Sequence, residues 1–180
     1  MNLANKISII RIFLVPAIVA SLVYYHPERD ALRFVTCWLF LLGIASDAVD
    51  GFIARSQGQA SQLGTLLDPI ADKCLILGTL ISLSAIHGLP EWMRVPAWFN
   101  LIVISRDAIL LTGAAVLFIM KGRWTVQPSS LGKWTTALQM AVVLCVLLRL
   151  QVREPLLVIA AGFTIVSGLN YVRRGIQALG

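Results

Sequence analysis

Six apolar stretches, each long enough to cross a lipid bilayer as a helix, constrain the fold of this 180-residue chain more than any other feature. A helix needs about 20 apolar residues to cross the hydrocarbon core. The stretches run over about residues 7–25, 31–54, 64–86, 96–120, 131–150 and 155–178. Short segments with Pro, Gly and charged residues separate them, as is typical of connections between helices. The pattern predicts an all-α integral membrane protein with six transmembrane helices, in a single membrane-embedded domain over residues 1–180.

The charged residues support the same prediction and limit the partners. They make up only 13% of the chain, whereas soluble domains carry about a quarter. The formal net charge is +6, but Lys and Arg flank the apolar stretches without forming a continuous patch, so we do not expect nucleic-acid binding. The distribution of Lys and Arg favours cytoplasmic N- and C-termini. We expect the protein to lie in a bacterial inner membrane.

The acidic residues are the first functional signal. Five of the nine lie within or at the ends of apolar stretches, where an Asp at the helix centre costs about 2.5–3.5 kcal/mol to insert. Four of the five fall near one short connection: Asp47 and Asp50 at i, i+3, and Asp68 and Asp72 at i, i+4. A short connection makes the two helices antiparallel neighbours. The four carboxylates should therefore lie at one depth, on the cytoplasmic side.

A cluster of this kind needs compensating charge. Four carboxylates a few ångströms apart cannot all stay ionised unaided, and Arg55 alone does not balance them. Mg²⁺ and Mn²⁺ prefer carboxylate oxygen, and Mg²⁺ usually shares its coordination with substrate phosphates. Two divalent ions suit four Asp better than one. Helix caps or Arg pairs explain one or two buried Asp, but not four that converge.

The spacing of these residues resembles a known signature. From Asp47 to Asp72 it reads D-x2-D-G-x2-A-R-x8-G-x3-D-x3-D, which resembles the CDP-alcohol phosphatidyltransferases in every defined position. The resemblance implies transfer of a substituted phosphoryl group from a donor such as CDP-diacylglycerol to an alcohol, with release of CMP. It also implies a six-span fold and, commonly, a homodimer.

The resemblance further implies the roles of individual residues. Asp47, Asp50 and Asp68 would hold one metal ion, and Asp72 would join others on the second. Asp72 would also be the catalytic general base. The cytidine-diphosphate site would be formed by Asp47, Gly51, Ala54, Arg55 and Gly64.

The acceptor alcohol is indicated by other stretches. "NLANKISIIRIFLVP", "GTLLDPIADK" and "GKWTTALQM" are similar to the phosphatidylglycerophosphate synthases of this family, which use glycerol 3-phosphate, although Thr135 stands where a lysine is expected. "ISRDAILL" is more similar to the cardiolipin synthases, which use phosphatidylglycerol. We predict glycerol 3-phosphate as the acceptor and keep phosphatidylglycerol as the alternative.

Three basic residues remain as candidates for binding. Arg106 within the fourth stretch requires an anion, which is either the acceptor phosphate or Asp107 with a second carboxylate. Lys133 is a second acceptor-binding candidate, although a lysine whose ammonium reaches the interface explains it equally well. Arg11, in the first stretch, faces either the site or lipid headgroups.

A hypothesis of another class is a membrane carrier, in which the acids bind a translocated cation or proton. Carriers place such groups near the midplane and often contain internal repeats. Here the acids gather toward one interface and no repeat is evident, so the sequence favours the enzyme.

Overall fold

The computed structural model describes the backbone of residues 3–57, 62–121 and 130–179, and most side chains of residues 10–46, 73–119 and 130–177. Every regular element in these ranges is helical. The six α-helices are α1 (Leu3–Val23), α2 (Ala31–Gln57), α3 (Gln62–Ala85), α4 (Ala97–Lys121), α5 (Ser130–Leu147) and α6 (Arg153–Leu179). Each helix coincides with one apolar stretch of the sequence, so the prediction of an all-α, six-helix fold is confirmed.

The surface of the helices is suited to lipid. Three described segments are long and apolar enough to cross a membrane: Glu91–Gly113, Ser130–Leu147 and Arg153–Gln177. Within the residues whose side chains the structure describes, the first three helices carry the apolar segments Ile10–Val23, Ala31–Ser46 and Lys73–Ala85. Large apolar side chains are 66% to 81% exposed, among them Phe13, Trp38, Leu101, Leu111 and Ile119. Soluble proteins rarely expose apolar surface on this scale, and the chain is an integral membrane protein.

The chain forms two compact units, which are described separately. The first unit comprises residues 1–95 and 146–149, and the second comprises residues 96–145 and 150–180. Helices α1, α2 and α3 belong to the first unit, and α4 and α6 belong to the second. The single domain stays a prediction.

In the first unit, α1 packs against both α2 and α3. The hydroxyls of Ser21 on α1 and Thr36 on α2 share a buried hydrogen bond of 2.7 Å. A Cβ atom added at Gly78 of α3 would lie 2.8 Å from Val15 Cγ1 of α1. One added at Gly43 of α2 would lie 2.5 Å from Leu75 Cδ2 of α3. Both glycines therefore permit a close approach of neighbouring helices.

Replacing Gly43 by valine is expected to destabilise the first unit. The new side chain would enter space that the buried Leu75 occupies, and overpacking of this kind costs about 1–3 kcal/mol. Unfolding in detergent micelles, followed by circular dichroism, measures the effect. Gly162→Val is the matched control, because no atom lies within 4 Å of a Cβ at that position. Equal stability of the two variants would contradict the close packing of α2 on α3.

Arg33 contacts three segments of the first unit through hydrogen bonds and an aromatic ring. Its Nε and Nη2 donate to the Asp30 carboxylate at 2.8 and 2.6 Å, and its Nη1 donates to the Leu147 carbonyl at 2.8 Å. The Trp92 ring centroid lies 5.8 Å from the Arg33 guanidinium and 4.8 Å from that of Arg149. The hydrogen bond from Arg33 holds the pKa of Asp30 below its usual value. These contacts connect the segment between α1 and α2 to residues 147–149 of the same unit.

Replacing Arg33 by alanine is expected to cost about 2–4 kcal/mol, because charge-assisted hydrogen bonds are lost and a carbonyl is left without a donor. Since the pKa of Asp30 is lowered, the stability that its carboxylate contributes is present above about pH 4 and is lost as the pH falls further. Unfolding at pH 7 and at pH 3 measures both effects. Arg153→Ala is the control, because Arg153 pairs with the exposed Glu154. If Arg33→Ala loses no more unfolding free energy than Arg153→Ala, the proposed stabilising role of Arg33 is contradicted.

Helix α5 ends at Leu147, whereas the sequence predicts an end near residue 150. The physical reason is Arg149, whose φ of 56° lies in the left-handed region. The Arg149 N–H donates to the Val146 carbonyl at 3.1 Å, and the Leu150 N–H donates to the Cys145 carbonyl at 2.9 Å. This pattern closes a helix and is usual with glycine at the left-handed position.

In the second unit, α6 packs against α4 and bonds to α5. The Thr135 hydroxyl of α5 lies 3.3 Å from the Phe163 carbonyl, and the Gln139 amide donates to the Thr164 hydroxyl at 3.4 Å. The Tyr171 hydroxyl donates to the Leu110 carbonyl of α4 at 3.1 Å. Buried polar contacts thus connect α6 to both of its neighbours.

Candidate active site

The acidic motif lies on the ends of α2 and α3 that precede and follow residues 58–61. On the last turns of α2 are Asp47, Asp50, Gly51, Ala54 and Arg55. On the first turns of α3 are Gly64, Asp68 and Asp72. The helical backbone is described at all eight positions, and their side chains lie outside the described residues.

The contact between Gly43 and Leu75 sets the register of the two helices. Asp50 is seven residues from Gly43, and Asp68 is seven residues from Leu75, so each lies about 10 Å along its helix from the contact. Asp47 lies about 6 Å from Gly43, and Asp72 lies about 4–5 Å from Leu75. The four backbone positions therefore fall at two matched depths on neighbouring antiparallel helices.

The chemistry of this donor set fits a pair of divalent cations. Spacings of i, i+3 and i, i+4 put the residues of each pair on one face of a regular helix. Four carboxylates are hard oxygen donors of the kind that Mg²⁺ and Mn²⁺ prefer. Among the side chains that the structure describes, which do not include the motif, no group of three or more His, Cys, Asp or Glu comes together.

Arg11 of α1 lies near the Asp47 end of the motif in the first unit. Its side chain is fully buried, and its Nε donates to the Ser46 hydroxyl at 3.4 Å. The Ser46 hydroxyl in turn donates to the Gly43 carbonyl at 2.7 Å. Ser46 immediately precedes Asp47. The sequence leaves open whether Arg11 faces the site or lipid headgroups. Because its side chain is fully buried, the structure excludes the lipid headgroups.

Arg106 is a buried residue of the second unit. Its Nη1 lies 2.7 Å from Asp107 Oδ1, and its Nη2 donates to the Ser167 hydroxyl of α6 at 3.0 Å. Arg106 also lines an otherwise largely apolar cavity of about 330 Å³ between α4 and α6. The ion pair with Asp107, one of the two anions considered from the sequence, is present. Binding of an acceptor phosphate by Arg106 stays a prediction.

Comparison with known proteins identifies the family. A family model described as CDP-alcohol phosphatidyltransferase matches residues 1–166. The chain belongs to the CDP-alcohol phosphatidyltransferase family. Relatives include the probable phosphatidylglycerophosphate synthase of Mycobacterium tuberculosis H37Rv, which is 32% identical over 99% of this chain and 84% of the relative. The CDP-diacylglycerol–glycerol-3-phosphate 3-phosphatidyltransferase of Bacillus subtilis is 30% identical over 99% and 97%, and that of Haemophilus influenzae is 31% identical over 77% and 71%.

Two positions of α5 bear on how this phosphatidyltransferase holds its acceptor. Lys133 is exposed on the first turn of the helix. Thr135, where a lysine is expected, is fully buried, and its hydroxyl lies 2.8 Å from the Leu131 carbonyl. Thr135 therefore packs α5 against α6 and supplies no positive charge. The contribution of Lys133 to acceptor binding stays a prediction.

Proposed function

We propose that this membrane phosphatidyltransferase moves the phosphatidyl group of CDP-diacylglycerol to glycerol 3-phosphate and releases CMP. The observation that carries the proposal is the complete family motif on two antiparallel helices, with its acids at matched depths. The names of the relatives support the same donor and acceptor. The product would be a phosphatidylglycerol precursor in phospholipid biosynthesis.

In this proposal the acidic motif holds the donor through two divalent ions, Mg²⁺ or Mn²⁺. The ligands are Asp47, Asp50, Asp68 and Asp72. When bound, such ions neutralise the diphosphate and stabilise the departing phosphate of CMP. The cytidine diphosphate binds against Asp47, Gly51, Ala54, Arg55 and Gly64, where the three small residues leave space beside the helices and Arg55 pairs with phosphate.

Asp72 acts as the general base. It accepts the proton of the acceptor hydroxyl, whose oxygen attacks the phosphorus that carries diacylglycerol. The new phosphorus–oxygen bond forms as the bond to CMP breaks, and the electron pair leaves with CMP. A positioned base of this kind contributes about 10²–10⁴-fold to the rate.

Arg106 and Lys133 would bind the phosphate of the acceptor. Arg106 uses two of its nitrogens for Asp107 and Ser167, and its Nε has no hydrogen-bond partner among the described residues. The Nε–H group therefore remains to donate to an anion, beside a charge that Asp107 already pairs. Lys133, exposed at the start of α5, is accessible to a soluble phosphate.

The membrane arrangement follows from the same proposal. The acyl chains of the donor stay in the bilayer while the headgroup enters the site. The proposed location is a bacterial inner membrane, and the distribution of Lys and Arg favours an active site and both termini on its cytoplasmic side. A homodimer is the proposed assembly.

The test is the identity of the product. Purified protein in detergent micelles is supplied with Mg²⁺, labelled CDP-diacylglycerol and either glycerol 3-phosphate or phosphatidylglycerol, and the lipids are separated by thin-layer chromatography. We expect phosphatidylglycerophosphate with the first acceptor. Cardiolipin formed from the second, without product from the first, would make the protein a cardiolipin synthase. No product with either acceptor would contradict the enzyme and leave the carrier hypothesis.

A further inference from the structure

Arg11 is a buried charge to which the proposed function gives no role. Its side chain is fully buried in α1, although a guanidinium stays protonated in proteins. Taking such an ion out of water costs several kcal/mol unless anions nearby compensate it. The surroundings of Arg11 must therefore supply negative charge.

The position of Arg11 indicates which acids supply that charge. Its Nε donates to Ser46, the residue before Asp47, so the guanidinium lies at the depth of Asp47 and Asp72. Helix α1 packs against both helices that carry the motif. In contrast, Asp30 is bound to Arg33 beyond the opposite end of α1, about 18 Å or more along the helix axis.

We infer that Arg11 is the fixed counter-charge of the acidic motif. In the absence of divalent ions it reduces the repulsion among the four Asp and keeps the Asp47 end of α2 against α1. Its charge also opposes the binding of further cations at the same place. Arg11 is thus a positioning residue that lowers the affinity of the site for metal ions, so that bound ions can exchange. The inference rests on the metal site of the proposed function.

The test is Mn²⁺ binding by the full-length protein, purified metal-free in micelles and followed by the electron paramagnetic resonance signal of free Mn²⁺. Arg11→Gln removes the charge, and we expect it to bind Mn²⁺ about tenfold more tightly than the wild type. Arg11→Lys keeps the charge and should stay within about twofold, and so should Ser46→Ala, which removes the hydrogen bonds to Arg11 and Gly43 but no charge. Unchanged or weaker affinity in Arg11→Gln would overturn the inference.

Thermal unfolding separates this role from simple packing. A counter-charge predicts that Arg11→Gln is destabilised without metal and that Mn²⁺ raises its melting temperature more than that of the wild type. If Arg11 acts only by packing, Arg11→Gln should lose the same amount of thermal stability with and without Mn²⁺. If the variant folds only when purified with Mn²⁺, the inference is supported, and failure to fold in saturating Mn²⁺ would overturn it. A wild type that binds no Mn²⁺ would overturn the metal site itself, and the inference with it.

Discussion

Replacing Asp72 by asparagine is expected to lower the rate of CMP release by about 10³-fold or more, with the protein still folded. The amide is close in size to the carboxylate, but it cannot accept the proton of the acceptor and is a poorer ligand for divalent cations. Loss of a general base alone costs about 10²–10⁴-fold, and loss of metal affinity adds to it. Release of labelled CMP from CDP-diacylglycerol at saturating glycerol 3-phosphate measures the effect.

Two controls separate the roles of Asp72. Glu154→Gln changes an exposed acid that pairs with Arg153, and it should keep wild-type turnover. Asp47→Asn removes a proposed metal ligand that is not the base, so raising the Mg²⁺ concentration should restore part of its activity. In Asp72→Asn the same Mg²⁺ should recover only the part due to metal affinity and leave the loss of about 10²–10⁴-fold that follows from removing the base. Near wild-type turnover in Asp72→Asn would exclude its role as the base.

Replacing Arg106 by glutamine is expected to raise the KM for glycerol 3-phosphate by about 10–100-fold, with a much smaller change in the KM for CDP-diacylglycerol. A charge-assisted hydrogen bond is worth about 1.5–3 kcal/mol, which corresponds to that range. Steady-state kinetics with each substrate varied in turn measures the two constants. An equal rise in both would contradict binding of the acceptor by Arg106.

The observed ion pair with Asp107 requires a second variant. Breaking a buried pair from one side costs about 3–5 kcal/mol, so Arg106→Gln alone could act through stability. The double variant R106Q/D107N removes both charges and should recover stability. If Arg106 binds the acceptor phosphate, the double variant folds but keeps the raised KM for glycerol 3-phosphate. Recovery of the wild-type KM would show that Arg106 only pairs with Asp107 and does not bind the acceptor.

The sequence was sufficient for the helices because the bilayer sets their length and the apolar stretches reveal it. It predicted the end of α5 about three residues too late. Arg149 occupies the left-handed position at which glycine is usual, so no glycine in the sequence signals the end of the helix. In the sequence, Arg33 is only one of the Lys and Arg residues near the ends of the apolar stretches. In the structure Arg33 is nearly buried and bonds to Leu147, 114 residues away, and such a contact depends on packing that no local pattern encodes.

The sequence predicted that the two halves of the acidic motif are neighbours, but not the contacts that set their relative depth. The motif from Asp47 to Asp72 is local, and a short connection was enough to bring its two halves side by side. The approach of Gly43 to Leu75, which sets their relative depth, depends on tertiary packing. The direction of Arg11 depends likewise on which face of α1 meets α2. The sequence could only leave that direction open.

Removal of metal tests whether the acidic motif on α2 and α3 works through divalent cations. Protein purified and treated with excess chelator is given labelled CDP-diacylglycerol and glycerol 3-phosphate, and CMP and phosphatidylglycerophosphate are measured before and after Mg²⁺ or Mn²⁺ is added back in excess. We expect no transfer in the chelated sample and both products on addition of either ion. Equal activity before and after chelation would show that the acidic motif on α2 and α3 does not work through divalent cations.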